Sequence, residues 1–190
     1  MDRRDLKACV RAAARDARRA LAPVDRERLS RSAAARVLAM PEMAAAGAVL
    51  VYASLPEEVD TSTLVSALAA SGRIVAVPRV CGPREMTLHR ISSLDELAPG
   101  VCDIPEPDGT TPEMAPEEFD VVIVPGVAFD RSCRRIGFGG GFYDTLLPRL
   151  LPGAFTVGLA FDEQLVEEVP CEEHDSPLDA VVTPTTLHRR

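Results

Sequence analysis

Apolar and polar positions fall into blocks along this chain, and the period changes from block to block. Over residues 5–21, Leu6, Val10, Ala13, Ala17 and Leu21 recur at three- and four-residue steps, which predicts a helix. Lys7, Arg11, Arg15 and Arg18 form a second stripe on one face of that helix. Pro23 and Asp25 mark a second helix start, running to Leu38, and "MPEM" interrupts before a third short segment. "GAVLVYASLP" then reads as a buried strand over residues 48–54. "TSTLVSALAASG" reads as a helix with Thr61 as N-cap and Gly72 past its end. "RIVAVPRV" is the next strand. Strand, helix, strand in this order implies a parallel sheet.

Further along, "EMTLHRIS" alternates like an edge strand or hairpin arm, and "SSLDELAPG" reads as a capped helical turn. "VCDIPEPDGTTPEMAPEEF" is rich in Pro and Gly and predicts a long surface loop. "DVVIVPGVAFD" contains the most apolar strand, and "TLLPRLL" reads as a helix in which Pro148 is awkward. "FTVGLAF" is a strand, "DEQLVEEVP" a short helix and "LDAVVTP" a final strand. No repeat or linker divides the chain, so the pattern predicts one α/β domain over residues 1–190, with helices on both faces of a mostly parallel sheet.

Composition narrows the function. At 190 residues and 46% apolar content the chain suits one globular domain. No apolar run nears the ~20 residues needed to span a bilayer, and no secretory signal is evident. The five cysteines are scattered without a CxxC pair, which favours free thiols in a reducing cytoplasm over zinc or disulfides. Net charge is −8, but residues 1–36 hold eleven of the 21 Lys and Arg against five acids. That local +6 leaves −14 on the remainder, so nucleic acid is not the expected partner, and an anion near the N-terminal segment stays open. Lys7 is the single lysine beside 20 arginines, a bias that fits either chance or a need for an ammonium at that position.

Four places carry candidate chemistry. "RRIGFGGGFYD", residues 134–144, sits between a buried strand and a helix. It is neither a P-loop, lacking Gly-Lys-Ser/Thr, nor a dinucleotide fingerprint, since Phe142 stands where the third glycine belongs. It reads either as a tight packing turn or as a cradle in which bare amides, a helix N-terminus, Arg134 and Arg135 meet an anion. Asp144 is the residue there for magnesium. The basic stripe is either a solvated face or part of the same anion site. Glu57, Glu58 and Asp60 follow the first strand, where open α/β sheets take ligands, or simply complement a helix dipole. His174 beside Asp175 reads as a solvated loop histidine rather than a general base, since no nucleophile motif accompanies it, and Asp179 reads either as a metal partner for Asp144 or as a surface carboxylate at a strand end.

In order along the chain, these segments resemble the 5-formyltetrahydrofolate cyclo-ligase family (5,10-methenyltetrahydrofolate synthetases). The strongest match is "VPGVAFDRSCRRIGFGGGFYD", residues 124–144, flanked by Lys7-x-x-x-Arg11, "PEEVDT", "VPRV", "MTLHRI", "IPEP", "TVGLAFDEQLV" and "HDSPLDAVVT". The resemblance implies a three-layer α/β/α sandwich similar to the ribose-5-phosphate isomerase and CoA-transferase folds. It implies a monomeric cytoplasmic enzyme that uses ATP and Mg2+ to convert 5-formyltetrahydrofolate into 5,10-methenyltetrahydrofolate. By position it assigns ATP to Lys7, Arg11, Arg134, Arg135, Ile136, Gly137, Phe138, Gly139, Gly140, Gly141, Phe142 and Tyr143, with Arg15 assisting. It assigns the folate to Ala53, Leu55, Glu58, Pro78, Met86, Phe142 and Tyr143, and magnesium to Asp144 with Asp179. Lys7, Arg135 and Tyr143 take the catalytic roles. Cys133 stands where the family usually has glycine, so a different turn is expected before Arg134. Phe142 replaces a tyrosine, and Phe138 and Gly140 stand at positions that are basic in animal members.

Overall fold

Five parallel strands form the centre of one mixed sheet. The computed structural model describes residues 2–101, 104–171 and 177–190. Three helices come first, α1 (Arg3–Arg19), α2 (Pro23–Leu38) and α3 (Pro41–Ala45), then β1 (Ala48–Leu50) and α4 (Ser62–Ala70). β2 (Ile74–Gly82) and β3 (Glu85–Ile91) form a hairpin, followed by the short strands β4 (Leu97–Pro99), β5 (Pro105–Pro107) and β6 (Glu113–Met114). β7 (Val121–Val124) leads into β8 (Ala128–Phe129), β9 (Arg135–Ile136) and α5 (Phe142–Leu146). β10 (Phe155–Leu159), β11 (Ala180–Val182) and β12 (Leu187–Arg189) complete the chain. The main sheet has the order β12-β11-β10-β7-β1-β2-β3-β6, in which β11, β10, β7, β1 and β2 run parallel.

Strand alternation sorts the core into two layers. Val49, Val51, Val75, Val121, Ile123, Val157 and Val182 face Ala33, Val37, Met43, Leu64 and Leu68 of α2, α3 and α4. Leu50, Ala76, Val122, Val124 and Val181 face the other way, onto Phe129, Cys133, Leu146 and Leu178. The three-layer α/β expectation holds, but the second outer layer is thin, made of α5 and the β8–β9 hairpin. Among the described residues, no helix is long and apolar enough to cross a membrane.

Several elements differ from the pattern reading for local reasons. β3 is not an edge, because β6 pairs with it through Leu88 and Met114. The Pro-rich segment is not structureless: β4 and β5 pair at Leu97 with Pro107, and prolines sit at the ends of these short strands, where few ladder donors are needed. Pro148 ends α5 and opens a single 3-10 turn, and "DEQ" forms another such turn where a helix was expected. "AVV" is not the last strand, since β12 returns antiparallel beside it.

Cys133 adopts a backbone geometry that glycine reaches without strain. Its φ is 61°, in the left-handed region, and the side chain is fully buried among Phe129, Leu146 and Leu178. The sulfur fills core space. Cys133→Val should destabilise by about 2–3 kcal/mol, because a β-branched residue resists this φ and the site has no spare volume. Cys133→Gly should stay within about 1 kcal/mol of the parent, strain relief offsetting lost packing. Urea unfolding midpoints of the two variants check this.

Candidate active site

The glycine segment is anchored on both sides. Gly126 lets the chain leave β7 closely packed, since a Cβ there would lie 2.5 Å from the Phe129 ring. Asp130, buried, organises the hairpin turn: Oδ1 accepts from the amides of Ser132 (2.9 Å) and Arg134 (3.0 Å), and Oδ2 from Val169 (3.0 Å). The 137–141 loop then turns into α5 through Gly139 (φ 104°) and Gly141 (φ 73°), positions an L side chain adopts only with strain.

The basic stripe of α1 faces this loop rather than solvent. Val10 and Ala14 pack against Val127, Ala128, Ile136 and Val169, which turns that face inward. Of the predicted apolar stripe, Val10 and Leu21 pack inward, while Leu6 and Ala13 are exposed. Arg11 Nε donates to the Gly137 carbonyl at 2.9 Å. The guanidinium groups of Arg15 and Arg18 stand 5.7 and 5.6 Å from the Phe138 ring centre, within cation–π range. Lys7, one turn before Arg11, is half-buried on the same helical face.

Arg135 and Arg134 part company because successive strand residues point to opposite faces. The Arg135 side chain is 7% exposed, bonds Asp144 Oδ1 through Nη2, and lies 5.9 Å from the Tyr143 ring centre. Its Nε is buried without an acceptor. Arg134 instead reaches Glu168 at 3.2 Å and Asp130 at 3.9 Å, so its side chain belongs to the hairpin turn and not to the glycine loop.

The other half of the site follows β1. Ala53 is buried, Leu55 half-buried, and Glu58 is 8% exposed, its Oε2 accepting from the Leu55 amide at 2.8 Å. Burial raises the Glu58 carboxyl above the ordinary range, and the Leu55 amide and Arg18 only partly oppose this. Burial also drives the Tyr143 hydroxyl far above its usual value, with the Glu58 charge adding to the effect and Arg135 opposing it. That hydroxyl has no hydrogen-bond partner. Tyr143 Oη and Arg135 Nε are thus orphaned donors on two neighbouring side chains.

Pro78, Met86 and Phe142 lie on β2, β3 and α5. Pro78 occupies β2 opposite Leu88, beyond the last β1–β2 pair at Leu50 and Ala76, where its missing amide costs no ladder bond. Met86 and Tyr143 pack against the same core layer as Leu146. Beside Met86, a cleft opens between Arg84 and Glu85 of the β2–β3 turn and Thr145 and Arg149. Phe142 opens α5, and its ring would meet a Cβ on Gly140 at 2.7 Å.

Asp179 does not join Asp144. It precedes β11, at the amino ends of the parallel strands, and its Oδ2 accepts from the amide (2.8 Å) and hydroxyl (2.7 Å) of Thr156 at the start of β10. The carboxylate clips two strand starts together. Asp144 is 55% exposed at the start of α5, bonded to Arg135. No group of three or more metal-ligating side chains occurs among the described residues. His174 and Asp175 lie outside the described residues. Arg18, at 4% exposure, was legible only as part of the basic stripe, and no spacing rule marks it as the member that turns deepest inward.

Comparison with known proteins identifies the family and the fold. The profile of the 5-formyltetrahydrofolate cyclo-ligase family matches residues 3–184. The chain is 37% identical over 185 residues to the 5-formyltetrahydrofolate cyclo-ligase of Escherichia coli strain K12, covering 91% of this chain and 97% of that one. It is 29% identical over 189 residues to the Mus musculus protein of that name, covering 91% of each. The solution structure of Aquifex aeolicus 5,10-methenyltetrahydrofolate synthetase superposes with a TM-score of 0.85 at 33% identity, over 97% of this chain and 92% of that one. The Mycoplasma pneumoniae synthetase shares the fold, with a TM-score of 0.77 at 19% identity, over 94% of this chain and 98% of that one. With the profile spanning nearly its whole length, this chain belongs to the 5-formyltetrahydrofolate cyclo-ligase family.

Proposed function

We propose that the protein converts 5-formyltetrahydrofolate and ATP into 5,10-methenyltetrahydrofolate, ADP and phosphate. The observation that carries this reading is the convergence of α1 and the glycine loop around Tyr143. Arg11 is bonded to Gly137, Arg135 is buried beside Tyr143, and Tyr143 feels the charge of Glu58 from the opposite side. A cationic, amide-rich half suits a triphosphate. A half with one buried carboxylate suits the N–H donors of a pterin, with Ala53, Leu55, Pro78, Met86 and Phe142 as its apolar frame.

The chemistry asks little covalent work of the protein. The formyl oxygen on N5 attacks the γ-phosphorus, forming an O–P bond as the bond to the β,γ-bridging oxygen breaks and ADP leaves. The N10 lone pair then attacks the activated carbon and N10 loses its proton. The C–O bond breaks, phosphate leaves, and the ring closes as the methenyl cation. Lys7, Arg11 and Arg135 neutralise the transferring phosphoryl group, and the 137–141 amides hold the other phosphates. The Tyr143 hydroxyl, kept protonated by burial, donates to the reacting oxygen. A magnesium ion accompanying ATP supplies further charge neutralisation. Asp144 suits it as the one protein carboxylate, since magnesium on nucleotides keeps mostly water and phosphate ligands.

A spectroscopic assay for methenyl-folate formation with and without ATP tests the reading: product is expected only with ATP, and no product at saturating substrates would sink it. Lys7→Ala should raise the KM for ATP by about tenfold or more, the loss of one charge-assisted contact, with a smaller change in the KM for folate. Equal ATP affinity in the two proteins would remove Lys7 from the phosphate site.

A further inference from the structure

Arg18 has no place in the assignments above, yet it touches both halves of the site. Its Nη2 lies 3.4 Å from Glu57 Oε2, and its guanidinium stands 5.6 Å from the ring centre of Phe138. It is 4% exposed, and its Nε is buried without an acceptor. A helix that needed only to fill this space would do better with Leu or Met, because a desolvated guanidinium with an unmade bond opposes folding. Glu57 adjoins Glu58, whose titration senses Arg18 directly. Phe138 lies inside the 137–141 glycine loop and is 40% exposed, so the stacked arginines are its main restraint on that side. Arg19 adds a second bond to Glu57 at 3.0 Å.

We propose that Arg18 is a positioning residue that couples the two substrates, joining Glu57 of the folate loop to Phe138 of the nucleotide loop so that each substrate tightens the binding of the other. The proposal rests on the folate and ATP reading given above. Folate held at Glu58 fixes the neighbouring Glu57. Glu57 fixes Arg18, Arg18 pins Phe138, and the glycine amides lose the freedom that phosphate binding would otherwise have to remove. Because coupling is reciprocal, ATP must strengthen folate binding by the same factor.

Titration calorimetry with 5-formyltetrahydrofolate and a non-hydrolysable ATP analogue plus magnesium measures each dissociation constant alone and in the presence of the other ligand. The unaltered protein should show coupling of about fivefold or more, equal in both orders of addition. Arg18→Gln should reduce the coupling below about twofold while the separate affinities change by less than about threefold, and Phe138→Leu should reduce the coupling to the same extent. Phe138→Tyr, which keeps the ring, should retain it. Phe138 is a surface residue, so its variants carry the test should Arg18→Gln fail to fold. Full coupling in Arg18→Gln or Phe138→Leu overturns the proposal, as does independent binding of both ligands to the unaltered protein. Failure of the unaltered protein to bind either ligand overturns the functional reading itself, and the coupling with it.

Discussion

Replacing Arg135 with alanine should lower kcat by about 10²–10³-fold, the loss of one preorganised donor at the transferring phosphoryl group. Three features make this the largest effect expected. The side chain is 7% exposed, its Nε has no acceptor within the protein, and it stands beside Tyr143. A buried guanidinium with a spare donor is preorganised for charge that develops only during the reaction. Its loss should therefore fall on kcat more than on the KM for ATP. Stability should change little, because the partner left behind, Asp144, is more than half exposed and returns to water. Arg135→Lys should recover only part of the rate, since an ammonium cannot bond Asp144 and a phosphoryl oxygen through one planar fork. Steady-state kinetics with thermal unfolding as a control provides the check. A kcat within about threefold of the parent would remove Arg135 from the transition state.

Glu58→Gln should separate stability from function. Burial favours the neutral carboxyl of Glu58, so its folded-state value is raised above the unfolded one. Within that window the native state binds more protons than the unfolded chain. The contribution of Glu58 to stability is therefore full in acid and is lost as pH rises from the ordinary carboxylate range through the raised value. Once ionised, the buried carboxylate is a burden on the fold. Glutamine keeps an oxygen for the Leu55 amide and removes the charge. Its Tm at pH 7 should equal or exceed that of the parent, with a flatter decline between acid and neutral pH. The KM for 5-formyltetrahydrofolate should nevertheless rise about 10- to 100-fold, since charge-assisted bonds to the pterin would be replaced by neutral ones. A lower Tm together with unchanged folate KM would show that Glu58 serves structure alone.

Legibility differed between elements for identifiable reasons. The central strands and α4 could be read because their periodicity is generated by burial on both sides of a sheet, as with Val49 and Leu50 facing opposite layers. The 113–114 strand and the Leu97–Pro107 pairing were hidden because proline and glycine report local backbone preference, not pairing partners distant in sequence. Arg134 and Arg135 are adjacent and chemically alike, and only the strand register of β9 sends one to Glu168 and the other to Asp144. Asp179 looked like a ligand because its type is right. Its distance from Asp144 along the sheet follows from strand direction, which composition does not encode. Cys133 holds a left-handed φ because Asp130 and the core around the sulfur fix the turn, which residue type alone does not reveal.

By itself the sequence determined the α/β order of elements, the family, and the residue types that can meet phosphate and pterin, because local periodicity and motif spacing are properties of the chain alone. The tertiary structure decided which of those residues meet. The packing of Val10 and Ala14 on the hairpin turns the basic face of α1 toward the glycine loop, and burial leaves Arg18, Arg135 and Tyr143 with donors still unpaired. Those outcomes depend on contacts between segments more than one hundred residues apart, such as Arg11 with Gly137, and no local pattern specifies them. "RRIGFGGGFYD" is compatible with a turn or a cradle as written, and only the docking of α1 brings Arg11 to the Gly137 carbonyl.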